Sequence, residues 1–531
     1  MSVLSKQKVS VASVNRSKLD LSSTHIGTDN FMQCRPKYYL HMVPRQSIKG
    51  SAVFKSFMTP LINPCLGRAR VNLRYFFVPY RVVFPNAVEF FVDTIASNSG
   101  YSSLVSASPT VSNSVLLDTI LTGTIGSDPL TSEVTDSSAI SDGAYDFKFL
   151  TKYYKYNYVG RCFYNLLRSL GYDIILDDKN DQSYSALALL CYAKAYLDWY
   201  TNSQYLDSNE YLALERLFKY NDPRYSLALT KQNLLDLFNY TQFVTYDGSN
   251  EYFTNAWDNP VAPNAGLFTG QSYDDITMID GVPSTRVLSN VLDNGTPYFV
   301  GIRSGADENI PYRPTEYVHQ VLRRMTDVLS RHRLAGARNV DRFLVDFGIN
   351  LRSDKVNRSI FVASDSFDID FGAVTSNADT AGAPLGDYAG IGHSRGEGKF
   401  DFQADEFGLF IAIASVLPSA ELVQGIDRHN LHLTKYDFFN PSYDNLSVQL
   451  CSRQELYVSR DSSFGSVSDY QGKFGFVPRY AEYKVGRSHI TGDLLFPSIS
   501  PNGGSWSLAR FFKDSTFGSA AYPSALIAGA T

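Results

Sequence analysis

Charged residues, cysteines and long apolar runs are all scarce in this chain of 531 residues. Charged side chains make up only 19% of it and the formal net charge is −5, so no overall basic field attracts nucleic acid or a membrane. The five cysteines form no zinc-binding spacing, which predicts reduced, buried thiols. Apolar runs such as 409–417 are too short to span a bilayer, and residues 1–20 contain no signal-peptide core. We therefore expect folding in a cytoplasm and no membrane contact.

The motifs of common enzyme classes are also missing. The sequence contains no nucleophile elbow, P-loop or dinucleotide-binding fingerprint. Gly392, Gly396 and Gly398 fall in a segment predicted as a loop, without the strand-to-helix context that cradles phosphate. His429 and His432 have no HExxH pattern and no evident third ligand. The sequence therefore predicts no catalytic, cofactor-binding or metal-binding residue.

Aromatic residues are abundant, with 35 Tyr and 35 Phe, and they favour half-buried pleated surfaces and protein interfaces. The strongest strand pattern is 69–83, in which Pro79 marks where ladder pairing should stop. Phe76 and Phe77 should point to opposite faces of this strand, so that one ring faces the core. Further strands are predicted at 38–43, 51–57, 360–371, 407–417, 449–458 and 479–485.

Helical periodicity dominates the middle of the chain. It predicts a helix over 185–200, with Ser185 as its N-cap, and a second helix over 315–334. Residues 101–145 are rich in Ser, Thr, Gly and Asp and are predicted to form a long loop. The turn-rich stretch 262–312 is a candidate exposed surface loop.

This order of elements predicts a mainly β fold, a single eight-stranded jelly-roll β-sandwich with long helical and loop insertions between strands. Residues 1–30 are Ser-rich and mildly basic, and we expect them to form a flexible N-terminal arm. Residues 31–531 then form a single jelly-roll domain, in which 101–312 is largely insertion.

Four stretches in the same order carry a resemblance to a known family. They are NRSKLDLSSTH (15–25), RYFFVPYRVVF (74–84), a central helix with its aromatic-Pro turn (188–207 and 251–261), and FGFVPRYAEYKVGRSHITGDL (474–494). Together they resemble the major capsid proteins of microviruses (Microviridae), closest to the gokushovirus-like branch.

The resemblance implies a jelly roll of the viral capsid type and no enzyme activity. It implies assembly as pentamers into a T=1 icosahedral shell around circular single-stranded DNA, in a phage virion assembled in the bacterial cytoplasm. An internal scaffolding protein, a DNA pilot protein and a small basic DNA-packaging protein are the implied partners. The sequence departs from the family pattern at Tyr80, where asparagine is usual, and at Phe84-Pro85-Asn86, which replaces a Trp-rich turn. These departures indicate a divergent branch.

The segment PRYAEYK combines charged groups with aromatic anchors, a composition found at contact hot spots. It provides the predicted subunit interface, although a strand with alternating faces is an equal alternative. The five interface candidates are Arg479, Tyr480, Glu482, Tyr483 and Lys484.

The densest positive region lies at 323–342 and could neutralise phosphates on the inside of a shell. Its candidate DNA-facing residues are Arg323, Arg324, Arg331 and Arg333. The alternative is the solvated face of an amphipathic helix, which is the more common role of such residues.

A function from another class is also open, that of a carbohydrate-binding or carbohydrate-active β-sandwich. This alternative rests on the stretch 246–258, which is rich in Tyr, Asn, Asp and Gly. Aromatic faces and amide groups are suited to binding sugar rings. The missing export signal argues against it.

Overall fold

A computed structural model describes the chain in segments separated by gaps. They are residues 17–58, 61, 65–84, 87–92, 108–177, 179, 181–201, 214, 217–218, 228–241, 252–253, 290–293, 296–300, 311–312, 358–375, 388–419, 424–435, 437–442, 444, 448–458, 473–486 and 489–492.

The strands in these segments are β1 (Cys34–Met42), β2 (Ser47–Phe57), β3 (Ala69–Pro79), β4 (Thr110–Ser112), β5 (Thr124–Ile125), β6 (Asp128–Pro129), β7 (Thr131–Val134), β8 (Phe147–Phe149), β9 (Lys152–Tyr156), β10 (Ser183–Ser185), β11 (Asn290–Asp293), β12 (Thr296–Val300), β13 (Pro311–Tyr312), β14 (Ile360–Thr375), β15 (Tyr388–Gln403), β16 (Gly408–Pro418), β17 (Val448–Ser452) and β18 (Lys473–Pro478). The α-helices are α1 (Tyr80–Val83), α2 (Ala87–Val92), α3 (Asn113–Thr122), α4 (Ser137–Ser141), α5 (Tyr158–Ser169), α6 (Leu187–Trp199) and α7 (Lys231–Thr241).

Six strands form an antiparallel main sheet in the order β1–β16–β3–β14–β15–β2. At its centre, β3 and β16 pair along their whole lengths, from Ala69 opposite Pro418 to Pro79 opposite Gly408. β3 ends at Pro79 as the sequence predicts, because proline has no N–H to donate to the ladder. Almost every residue of both strands is buried, which requires a covering layer on each face.

The main sheet is curled, because its two edge strands are consecutive in the chain. Only residues 43–46 connect β1 to β2, and five residue steps reach about 18 Å at most. Five strand spacings in a flat sheet would place the two edges about 24 Å apart. The connection is held at this end of the sheet by Ala404, whose backbone bonds to Arg45 and Gln46 with N–O distances of 2.7 and 2.9 Å.

The curl places β15 across the inner face of β3. The first half of β14 pairs with β3 and only its second half pairs with β15, so the β14–β15 hairpin opens towards its base. There Tyr75 and Phe77 of β3 contact Phe400 and Phe402 of β15, with ring centroids 4.8 and 4.9 Å apart. Two β layers with a shared apolar core agree with the predicted mainly β, sandwich-like class. The main sheet has six strands within the described segments, and the eight-stranded jelly roll stays a prediction.

The outer face of the main sheet is covered by helices. α6 lies against β3 and β16, α5 lies against β1, and α7 packs on both α6 and α3. Phe76 points into this layer, with its ring centroid 6.0 Å from Trp199 and 5.9 Å from Tyr200. Phe76 and Phe77 therefore straddle the sheet as predicted, and both are fully buried.

The helix predicted over 185–200 is confirmed as α6, but its start is not the predicted one. Ser185 is the last residue of β10 and pairs with Thr110 of β4, and the N-cap of α6 is Ala186, which has no capping side chain. Ser185 still accepts a hydrogen bond from the N–H of Leu187, the first residue of α6, at 3.4 Å. The serine therefore serves both the ladder and the start of the helix, from one position before the N-cap. The side chains of α6 are buried on almost every side, as expected for a helix with apolar residues all round.

The prediction of a loop over 101–145 was wrong for its described part. Residues 108–145 contain α3 and several short strands. Ser112 caps α3 by accepting a hydrogen bond from the N–H of Val115 at 3.3 Å, and Leu116 and Ile120 enter the core. The segment is polar on average, but α3 has a short apolar stripe, and this stripe is buried by the surrounding helices.

The prediction of a loop at Gly392, Gly396 and Gly398 was also wrong, because all three lie within β15. Gly396 and Gly398 face the open base of the hairpin, where Phe367 and Asp365 of β14 occupy the space that their Cβ atoms would take. Gly392 pairs with Phe371 of β14, and a Cβ there would meet Met58. These glycines therefore let two β layers approach closely.

Replacing Gly396 by alanine should lower the free energy of unfolding by about 1–3 kcal/mol, because the new methyl group overlaps the Phe367 ring. The measurement is chemical denaturation of the unassembled chain. Gly372→Ala is the matched control in the same hairpin, since its Cβ would meet Ile391 at an ordinary 3.4 Å. Equal stability of the Gly396→Ala variant and the parent chain would contradict the close approach of the layers.

The described part of the N-terminal arm, residues 17–30, has no regular secondary structure and is largely exposed. Leu19 and Ile26 project into solvent, while Asp29 pairs with Lys37 at 2.5 Å and Asn30 donates to the Tyr158 hydroxyl at 2.9 Å. The arm is thus anchored where it joins β1, and its flexibility stays a prediction.

Two further predictions fall wholly or mostly outside the described residues. The helix predicted over 315–334 lies outside them, as does most of the candidate loop 262–312. Within that stretch, β11, β12 and β13 form a small antiparallel sheet, and the exposure of the loop stays a prediction. In the segments given above, no helix is both long and apolar enough to cross a bilayer.

Candidate assembly surface

The predicted interface segment belongs to a small C-terminal module. We define it as residues 424–435, 437–442, 444, 448–458 and 473–486 together with Tyr252 and Phe253. β17 and β18 pair antiparallel in this module, from Val448 opposite Pro478 to Ser452 opposite Lys473. Its apolar core is separate from that of the main sheet and consists of Tyr252, Phe253, Cys451, Leu456, Tyr457, Phe474, Val477 and Ala481.

A fully buried carboxylate, Glu455, organises one side of the module. One of its oxygens lies 3.0 Å from the Arg428 guanidinium and accepts from the N–H of Ser452 at 2.9 Å. The other accepts from the Tyr252 hydroxyl at 3.0 Å. Burial disfavours the charged form of Arg428, but the Glu455 carboxylate outweighs it and raises the pKa of Arg428. Burial also raises the pKa of Tyr252, which keeps its hydroxyl as a donor.

A second buried carboxylate, Glu482, organises the other side. His432 Nε2 lies 3.2 Å from Glu482 Oε1, and both side chains are almost completely buried. Gln449 donates to the other oxygen of Glu482 and accepts the N–H of Tyr480 at 3.1 Å. Tyr480 adopts the left-handed conformation with φ 60°, which starts a 3-10 helix over Ala481–Tyr483.

Exposed apolar side chains lie beside this second network. Leu433 is 88% exposed, Phe438 is 55%, Phe439 is 45% and Tyr483 is 46%. The rings are contiguous, since Phe439 lies 5.6 Å from Tyr483 and both Phe438 and Tyr483 contact the ring of His432. We call these four residues the aromatic patch.

The loop that carries Leu433, Phe438 and Phe439 of the aromatic patch is held by Asp437. Its carboxylate accepts from the N–H of Leu433 at 3.1 Å and from the N–H and hydroxyl of Thr434 at 2.7 and 2.8 Å. Burial opposes ionisation, but these hydrogen bonds prevail and lower the pKa of Asp437. The exposed rings are therefore presented on a fixed turn.

The structure divides the five predicted interface residues into two groups. Tyr480 and Glu482 are buried within the chain and stabilise the module itself. Tyr483 and Lys484 are exposed, and Arg479 is half-buried with its guanidinium 5.0 Å from the Tyr480 ring. Their role as a subunit interface stays a prediction.

The strand predicted over 479–485 was wrong. The segment forms a turn and the 3-10 helix, because the N–H of Tyr480 bonds to a side chain of β17 and its backbone leaves the extended region. Leu433, Phe438 and Phe439 were missed by the sequence interpretation. The signal available for the two phenylalanines was their position beside the turn-forming Asn440-Pro441, since rings in a loop have no strand face to bury them.

Other predicted sites have mixed outcomes. Arg323, Arg324, Arg331 and Arg333 lie outside the described residues, and their contact with DNA stays a prediction. Of the stretch 246–258, only Tyr252 and Phe253 are described, and both are buried in the C-terminal module. These two rings therefore offer no face to a sugar. Among the described side chains, no three or more His, Cys, Asp or Glu residues are grouped so as to hold a metal ion.

A mainly β fold with a curled antiparallel sheet and an exposed apolar patch is compatible with a protein that binds other proteins. The chain matches the capsid protein (F protein) family over residues 7–132 and 324–515, which is more than half of its length, and it belongs to that family. It is similar to capsid protein VP1 of Chlamydia phage 1, with 21% identity over 564 residues that cover 96% of this chain and 89% of the relative. These matches confirm a bacteriophage major capsid protein of the microvirus type.

Proposed function

We propose that the chain assembles through its aromatic patch as pentamers, and that these form a T=1 icosahedral shell of the jelly-roll type around circular single-stranded DNA. Membership of the capsid protein family supports self-association, and the gokushovirus-like sequence pattern supports this particular geometry. The role is structural and requires no catalytic group.

The single observation that carries the proposal is the aromatic patch. Exposed apolar surface on a fixed loop lowers solubility unless another surface covers it. Large aromatic side chains provide most of the binding energy in many interfaces. Because a shell protein binds copies of itself, a second copy of this chain is the occupant that we propose.

The partners follow from the family resemblance. An internal scaffolding protein guides the pentamers, a DNA pilot protein accompanies the genome, and a small basic DNA-packaging protein neutralises phosphates. The last of these suits a chain with a formal net charge of −5, which needs a basic partner or local basic clusters to hold DNA. The complete shell is located in the virion and is assembled in the bacterial cytoplasm.

Replacing both Leu433 and Phe438 by serine should abolish assembly and leave the chain folded, because both side chains are mainly exposed. The measurement is sedimentation velocity and negative-stain microscopy of the full chain, alone and with the internal scaffolding protein. Parent protein should form pentamers or isometric shells, and the variant should remain monomeric with an unchanged circular dichroism spectrum.

The matched control is Leu150→Ser, which removes a leucine of similar exposure that lies outside the aromatic patch. It should assemble like the parent chain. Assembly by the double variant would show that the contact lies elsewhere, and a parent chain that stays monomeric with scaffold present would refute the capsid assembly itself.

A further inference from the structure

The outer face of the β2–β15 ladder carries like charges in positions where they do not stabilise the fold. On the inner face of this ladder, Phe400 and Phe402 contact β3. On the outer face, every second residue of both strands is exposed. These outward residues form cross-strand pairs, and the exposed set is Ser47, Lys49, Ser51, Val53, Lys55 and Phe57 on β2, opposite Gln403, Asp401, Lys399, Glu397, Arg395 and His393 on β15. We call this surface the basic face.

Two cations stand directly opposite each other on the basic face. Lys55 pairs in register with Arg395, and like charges in this position are unfavourable. Lys49 differs, because it forms an ion pair with Asp401 at 3.0 Å. Lys55, Arg395 and Lys399 form no ion pair with any of the described side chains. Glu397 lies one row from the Lys55–Arg395 pair, and Glu397 and Asp401 lie on either side of Lys399 along β15.

An exposed aromatic ring adjoins the opposed cations. Phe57 is 80% exposed and pairs with His393, which is followed across the sheet by Asp370 of β14. A phenylalanine in solvent at the end of an edge strand adds nothing to the core. Beside two unpaired cations, it provides a flat surface next to a site for anions.

We propose that the basic face binds single-stranded nucleic acid. Two adjacent phosphates would neutralise Lys55 and Arg395, one each, and so remove their mutual repulsion. Lys399 would contact a further phosphate, and an unpaired base would stack on Phe57. Sheet surfaces with exposed aromatic and basic side chains suit single strands, since bases in a duplex are already stacked. The inference rests on the proposed function, because a shell that encloses a single-stranded genome presents such a surface to it.

The test uses a fluorescently labelled oligothymidylate and the full-length chain, with affinity measured by anisotropy over a range of salt concentrations. In the Lys55→Ser/Arg395→Ser variant, affinity should fall roughly tenfold, and the slope of log affinity against log salt should decrease by about 1.4. Phe57→Ala should weaken binding roughly tenfold while leaving the salt slope unchanged. Unchanged affinity in both variants would overturn the proposal.

The matched control is Lys49→Ser/Asp401→Ser, which removes an already neutral pair from the same face and should leave both affinity and slope unchanged. The melting temperature separates binding from folding, because loss of the like-charge pair should hold or raise it. Equal or stronger binding of an oligoglutamate, lost in the same variants, would identify a protein-docking surface and overturn the nucleic-acid assignment.

Sedimentation of the same samples keeps the two proposals apart. Shells that form normally from the Lys55→Ser/Arg395→Ser variant but contain less nucleic acid support the basic face. If the variant forms normal shells and binds the oligonucleotide as the parent does, nucleic-acid binding by the basic face is refuted and the proposed shell assembly is not. A parent chain that binds the oligonucleotide but never assembles refutes the shell and leaves the binding surface in place.

Discussion

Replacing Phe77 by alanine is expected to lower the free energy of unfolding by about 3–5 kcal/mol. The ring is 1% exposed and lies between the two β layers, 4.9 Å from Phe402. Its removal leaves a cavity at the point where β15 crosses β3, and the paired backbones of the sheet limit how far that cavity can collapse. Chemical denaturation of the unassembled chain, followed by circular dichroism, measures the loss.

Phe76→Ala should cost a similar amount for a different reason, since its ring fills the helical layer beside Trp199 and Tyr200. Phe57→Ala is the matched control, because the same side chain is removed from an 80% exposed position on β2. Its effect on stability should stay within about 0.5 kcal/mol. A tolerated change at either Phe76 or Phe77 would show that the face concerned is not covered.

Replacing Glu455 by glutamine is expected to cost about 3 kcal/mol, because Arg428 is then left largely buried without its anion. The substitution keeps the size of the side chain, so the loss reports on charge and hydrogen bonding with little change in packing. The same change disturbs the acceptors for Tyr252 and Ser452. We expect the C-terminal module to become sensitive to limited proteolysis before the main sheet does.

The control is Lys484→Met, which breaks an ion pair with Asp444 that is partly exposed. That change should cost less than about 1 kcal/mol, as surface pairs do. The double variant Arg428→Met/Glu455→Gln should regain part of the loss, since no uncompensated charge remains. Equal costs for Glu455→Gln and Lys484→Met would show that the buried network does not hold the module.

The interpretation of the sequence was most accurate where local pattern and burial agree. The boundaries of β3, the opposite directions of Phe76 and Phe77, and the body of α6 all follow from residue spacing and from Pro79. The family was likewise recognisable, because its motifs are local runs of residues. Within the candidate site, the sequence pointed to the segment that contains Tyr483, whose role as a subunit interface stays a prediction, and it did not point to Leu433, Phe438 or Phe439.

Predictions failed where the conformation of a residue depends on contacts with a distant part of the chain. Gly396 and Gly398 have the composition of a loop, yet they lie in a strand because Phe367 and Asp365 need their space. Ser185 has the features of a helix cap, yet it pairs with Thr110, and the N-cap of α6 is the next residue, Ala186. The segment around Tyr480 alternates like a strand, yet the N–H of Tyr480 donates to the side chain of Gln449 and its backbone forms a turn.

The sequence by itself determined the class of protein, the central strands and the buried helix, because hydrophobic spacing and proline act within a few residues of their position. Only the tertiary structure decided the curl of the sheet, the burial of Glu455 and Glu482, and the opposition of Lys55 to Arg395. Each of these depends on strand register or on contacts between segments far apart in the chain. Local composition does not reveal such pairings. Each of these charged side chains could equally lie in solvent, and only strand register and contacts between distant segments place it against its partner.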